Sequence, residues 1–144
     1  MQSVRRYINK QDDPLVITNT DLDDLKILAI NPAWSKMTGY TEEDVLGLSP
    51  KILQGPKTNR SVIDHLKSTL RGGFRFEGDT WNYGKDGKLY RVAWAIDKIY
   101  VRGNSYYISL QLEVKSDEEL KMLSRKAVRH IIKIIDYIIE EEEK

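Results

Sequence analysis

The stretch Asn31–Gly55 reads NPAWSKMTGYTEEDVLGLSPKILQG. Asn31 followed by Pro32 is a helix N-cap with proline at the first helical position, and Gly39 supplies the stop. Thr41 and Asp44 have the spacing of a capping box, with Asp as a shorter partner than Glu. Gly47 ends that second turn. Lys51 and Gln54 then stand three residues apart, which places a cation and an amide on one side of a helical turn. The stretch is two short helices feeding a polar segment able to close over a planar ligand.

Strands flank it on both sides. Leu15-Val16-Ile17-Thr18 and Lys26-Ile27-Leu28-Ala29-Ile30 read as a pair joined by the loop around Asp21–Asp24, longer than a tight hairpin turn. Downstream, Pro56-Lys57-Thr58-Asn59 sets up a helix from about Arg60 to Leu70, with Val62, Ile63, Leu66 and Leu70 at helical period and Gly72-Gly73 as its end. Three more strands follow, at roughly Arg75–Tyr83, Lys88–Tyr100 and Ser105–Val114. They turn at Lys85-Asp86-Gly87 and Arg102-Gly103-Asn104.

The chain has 144 residues, enough for one core, with 40% hydrophobic and 31% charged residues. A formal charge of +1 argues against nucleic acid as the main partner, because phosphate neutralisation needs a concentrated basic face. Cysteine is absent, which excludes disulfides, thiolate metal sites and thiol chemistry and fits a cytoplasmic protein. MQSVRRYINK lacks the apolar segment of a signal peptide. Lys133 and Asp136 interrupt the most apolar run, Ile131–Ile139, so no membrane span is expected.

Thr38-Gly39-Tyr40 with Gly47 resembles a PAS domain. Leu53-Gln54-Gly55-Pro56 resembles the LOV (light-oxygen-voltage) branch of that family, whose pattern is Gly-x-Asn-Cys-Arg-Phe-Leu-Gln-Gly. Gly47, Leu53, Gln54 and Gly55 are kept, Lys51 stands for the arginine, and Ser49 for the asparagine. Pro50 stands for the cysteine that forms the light-driven adduct. Asn82-Tyr83-Gly84-Lys85-Asp86-Gly87 is similar to the family's Asn-Tyr-x-Lys-Asp-Gly, and Leu110-Gln111-Leu112 to the segment holding its ring-edge glutamine. The resemblance implies an α+β PAS fold: a five-stranded antiparallel sheet with helices on one face and a C-terminal amphipathic helix. It divides the chain into a leader (1–13), the PAS/LOV-like domain (14–115) and a terminal helix (116–144).

It also implies a flavin, FMN with FAD as the alternative. Such a ring has an apolar edge, a polar edge of alternating donors and acceptors, and a phosphate on its tail. Carboxamides suit the polar edge because each is donor and acceptor without charge; Asn82, Gln111 and Gln54 are the candidates. Lys51 and Arg60, near a helix start, are those for the phosphate. Val92 stands where the family has a second asparagine, removing one amide contact. Alternation along the second long strand sets Tyr90, Val92 and Trp94 on one face, and Trp94 is the candidate electron donor.

Without sulfur at position 50 no covalent adduct can form. The expectation is a non-covalent flavin sensor, acting by redox change or photoreduction, with the Gln111 amide rotating and the change passing along the last strand. The alternative is a PAS interaction module with an empty or differently filled pocket.

The C-terminal segment opens with Ser116-Asp117-Glu118-Glu119, the pattern of a capping box. Leu120, Leu123, Ala127, Ile131, Ile134 and Ile138 follow at alternating three- and four-residue spacing, with Ile132, Ile135 and Ile139 widening the stripe. The helix is expected on the outer sheet face, with Tyr106, Ile108, Leu110 and Leu112, or in a homodimer, or both, and a homodimer is expected through this helix or the outer sheet face. Any signal then leaves by association or a separate partner. The Glu140–Glu143 run is unfavourable at a helix C-terminus and is expected to fray. No enzyme activity is expected. His65 and His130 are too few for a metal cluster, and Gly55-Pro56-Lys57-Thr58 lacks the glycine spacing of a P-loop.

Overall fold

A computed structural model describes residues 1–143 of the chain. In order the elements are α1 (Gln2–Asn9), β1 (Leu15–Thr18), β2 (Ile27–Ile30), α2 (Pro32–Thr38) and α3 (Glu42–Val45), a 3₁₀ turn (Pro50–Leu53), then α4 (Arg60–Arg71), β3 (Phe76–Tyr83), β4 (Leu89–Val101), β5 (Asn104–Glu113), α5 (Asp117–Leu120) and α6 (Leu123–Glu142). The five strands form one antiparallel sheet in the order β2-β1-β5-β4-β3. The PAS architecture expected from the sequence is present. The two halves of the sheet meet where β1 pairs with β5, Leu15 opposite Leu110.

Local chemistry explains the short helices. Asn31 Oδ1 accepts the Trp34 N–H, Pro32 opens α2, and Gly39 closes it at φ 81°. At α3 both arms of the Thr41–Asp44 capping box are made. Arg102 and Gly103, at φ 49° and 82°, form the tight turn between β4 and β5 that the sequence marks. The Gly55–Asn59 segment is stitched to β3: Thr58 Oγ1 donates to the Trp81 carbonyl at 2.7 Å and the Asn59 N–H donates to Thr80 Oγ1 at 2.8 Å.

Three features differ from the sequence reading. Residues 2–9, within the stretch read as a leader, form a helix whose Val4, Tyr7 and Ile8 are buried against the outer sheet face and α6. The C-terminal helix is broken after Leu120 by a turn at Lys121–Met122. There the capping box is half made: Ser116 Oγ accepts the Glu119 N–H, but Glu119 reaches back to the Lys115 N–H rather than to Ser116. The acidic end of α6 is also engaged rather than frayed. Glu141 Oε1 accepts the Ser3 N–H at 2.8 Å, and Glu142 Oε1 accepts the Arg102 N–H at 3.0 Å.

α6 packs on the outer sheet face. Leu123, Ala127, Ile134 and Ile138 join Ile108 and Leu110 of β5, with Tyr106 and Leu112 at the margin. This is the first of the two placements expected from the stripe.

Candidate ligand-binding site

The inner sheet face, α4, the 3₁₀ turn and the β1–β2 loop enclose a cavity of about 220 Å³. Its sheet wall is Asn82 from β3, Val92, Trp94 and Ile96 from β4, and Tyr107, Ser109 and Gln111 from β5. These positions alternate with the outward residues of the same strands, so the pleat alone gathers them. Across from them stand Pro50, Lys51, Leu53 and Gln54, with Ile63, Leu66 and Leu70 from α4. The volume is below the ~300–1,000 Å³ usual for small-molecule sites. Leu22 and Leu25 of the β1–β2 loop fold inward onto the Leu66–Leu70–Trp94 cluster, and the Trp94 indole packs on Phe76 with ring centres 5.5 Å apart.

Of the residues singled out from sequence, Pro50, Lys51, Gln54, Asn82, Val92, Trp94 and Gln111 all line this cavity. Arg60 does not line it; its guanidinium donates at 2.6 Å to Oε1 of Gln54, which does. That bond arises because Arg60 opens α4 while Gln54 ends the 3₁₀ turn, and the Asn59 cap between them brings the two ends together.

Gln111, buried on β5, is held by a bond that was not legible in the sequence. The Trp34 indole N–H donates to Gln111 Oε1 at 2.9 Å, and Gln111 Nε2 donates to Ser109 Oγ at 3.3 Å. Asn82 has a different neighbour. Its cross-strand partner Tyr90 turns a buried hydroxyl toward the Asn82 amide. Burial pushes the Tyr90 phenol up to about 12, opposed by the Asn82 side chain.

The family model for PAS domains matches residues 12–113. The chain belongs to the PAS family. Among relatives, it is 30% identical over 137 residues to the blue-light-activated histidine kinase of Brucella abortus, an alignment covering 88% of this chain and 28% of that protein. A variant of RsLOV shares the fold with a TM-score of 0.80 at 18% identity, covering 95% of this chain and 81% of that one. The LOV domain of the Erythrobacter litoralis blue-light activated histidine kinase is 24% identical with a TM-score of 0.67, over 74% of this chain and all of that one (100%).

The PAS domain described here has no cysteine, and Pro50 occupies the place of the adduct residue in the LOV pattern. Its donor set nonetheless fits a flavin ring: carboxamides on β3 and β5, apolar walls of Val16, Leu53, Leu66 and Ile96, and the Lys51 cation. Val92 leaves one amide fewer than the family pattern. Among the described residues no group of three or more His, Cys, Asp or Glu could hold a metal, and no helix is long and apolar enough to cross a membrane.

A second buried polar cluster lies outside the cavity. His130, on α6, is buried; its Nδ1 meets the Tyr7 hydroxyl at 2.6 Å and its Nε2 meets Asp13 Oδ2 at 2.8 Å. Lys126 Nζ donates to Asp13 Oδ1 at 3.0 Å. The cluster joins α1, the segment before β1 and α6. Asn31 continues it toward the cavity side, its Nδ2 donating to the carbonyls of Ile8 and Asp13 at 2.8 and 2.9 Å.

Proposed function

We propose that this PAS domain is a cytoplasmic sensor unit that binds a flavin non-covalently and responds to its redox state, or to its photoreduction, without a thiol adduct. The observation that carries this reading is the convergence of Gln111, Asn82, Gln54 and Lys51 on one largely apolar cavity, with proline at position 50. When bound, a flavin supplies reversible uptake of electrons and protons. Gln111 and Asn82 would hold the polar edge of the ring, and Lys51 would meet the tail phosphate as a point charge. Arg60, which donates to Gln54 Oε1, would share the phosphate with Lys51, and Gln54 would serve the ring. A single phosphate between Lys51 and Arg60 matches FMN better than FAD.

Output passes through the C-terminal helix. Val128, Ile132, Ile135 and Ile139 stand 46%, 57%, 46% and 48% exposed on the face of α6 turned away from the sheet. Their spacing of four, three and four residues is that of a coiled-coil seam, and a second copy of the chain is the partner it fits.

The small cavity favours a second reading, an interaction module whose pocket is filled by its own Leu22, Leu25 and Trp94. Incubating the purified protein with excess riboflavin phosphate or its adenylated form, then removing free ligand, separates the two. A retained blue absorption band with vibrational structure supports the sensor reading. A colourless protein leaves the interaction module.

A further inference from the structure

The bond between Trp34 and Gln111 bears on what the cavity accepts. Trp34 is 1% exposed and Gln111 9%, so neither has ready recourse to water. An indole nitrogen donates and never accepts, so one orientation of the Gln111 amide satisfies it. The oxygen faces α2, and the NH₂ group faces Ser109 and the cavity that Ser109 and Gln111 both line. Turned by half a rotation, the NH₂ would confront the indole N–H, and two donors would be set against each other in a buried site.

We propose that Trp34 is a positioning residue that fixes Gln111 as a hydrogen-bond donor toward the cavity, so that the site selects a ligand atom that accepts there and discriminates against one that donates. The flavin form of this inference rests on the proposed function. An oxidised isoalloxazine presents an acceptor nitrogen to such a glutamine, and the reduced ring presents an N–H at the same place. Trp34 therefore biases the site toward the oxidised ring. A free rotation of Gln111 on reduction, the mechanism expected from the sequence, is opposed by α2.

Two measurements test this, one of which needs no ligand. In the ligand-free protein the Trp34 indole proton should resonate downfield of an unbonded indole and exchange slowly with heavy water. Gln111→Leu, which removes the acceptor and keeps the bulk, should move the resonance upfield and speed exchange about tenfold. An unchanged resonance and exchange rate in Gln111→Leu overturn the proposal. With riboflavin phosphate under anaerobic conditions, the preference for the oxidised over the reduced form should fall about tenfold in Trp34→Phe. An unchanged preference also overturns it. If neither protein binds riboflavin phosphate, the flavin reading fails, and the ligand-free spectra alone decide for or against Trp34.

Discussion

The two faces of the sheet are made from alternate residues of the same strands, yet only one of them is filled. On β5, Ile108 and Leu110 point outward while Ser109 and Gln111 point to the cavity; on β4, Ala93 and Ala95 oppose Val92, Trp94 and Ile96. The outer face takes α1 and α6 down to contact, because alanines at 93, 95 and 127 remove the bulk that would hold the helices off. The inner face carries larger side chains with polar atoms among them, and its cover is a loop, a 3₁₀ turn and one helix. The outer layer follows the rule of a core, where volume is matched to the backbone. The inner layer instead leaves a space with Asn82, Ser109 and Gln111 on its wall.

The largest expected effects probe that contrast directly. Ile134 is fully buried in the outer cluster, and Ile134→Ala should cost about 3–4 kcal/mol, since both the lost transfer energy and the new cavity count. Leu66 lines the existing cavity, so Leu66→Ala enlarges a space already there and should cost roughly half as much. Urea denaturation of the two variants gives the ratio. Equal losses would mean that the inner face is packed as tightly as the outer.

A smaller and pH-dependent effect belongs to the polar cluster beneath the outer layer. The His130 bond, aided by Lys126, holds the Asp13 carboxyl down at about 2 from an ordinary 3.8, against its burial. A carboxylate lowered in the folded state adds stability that is fully present above the unfolded value and is lost as pH falls through the folded one. The contribution, on the order of 2 kcal/mol, should therefore vanish between about pH 4 and pH 2. Asp13→Asn should lower stability near pH 7 by a similar amount and flatten the profile across that acid window. A profile that keeps its slope in Asp13→Asn would place the acid sensitivity elsewhere, Glu141 being the next group, held down chiefly by the Ser3 N–H.

How much of this was legible depends on sequence distance. Caps and turns are written within a few residues, so Asn31, Gly39, Thr41 with Asp44, and Arg102-Gly103 mark their elements directly. Strand alternation then delivers Asn82, Val92, Trp94 and Gln111 to one cavity without further information. The first helix was also signalled: Val4, Tyr7 and Ile8 have helical spacing, but eight residues give too short a pattern to outweigh a polar terminus. What could not be read is pairing at a distance. Trp34 and Gln111 are 77 positions apart and Tyr7 and His130 are 123 apart, and neither bond leaves a local trace. The turn at Lys121–Met122 has no glycine or proline to announce it, and nothing in the structure explains why it falls there.

The smallest stability change is expected where the outer layer itself has two sides. Ile134 and Ile138 face the sheet, whereas Ile135 and Ile139, their immediate neighbours, face away and stay about half exposed. Ile135→Lys should therefore leave the folding free energy of the monomer within about 0.5 kcal/mol, because no packed contact of the sheet is lost. The self-association proposed for this face should fall sharply, because a charge would enter the middle of the 128–132–135–139 seam. Sedimentation velocity over a range of concentrations reads the second effect and denaturation the first. Loss of stability without loss of association would show that the stripe packs on its own chain, and that α6 is a lid on the sheet and nothing more. Loss of association alone divides the helix into a half that holds the fold and a half that carries its output.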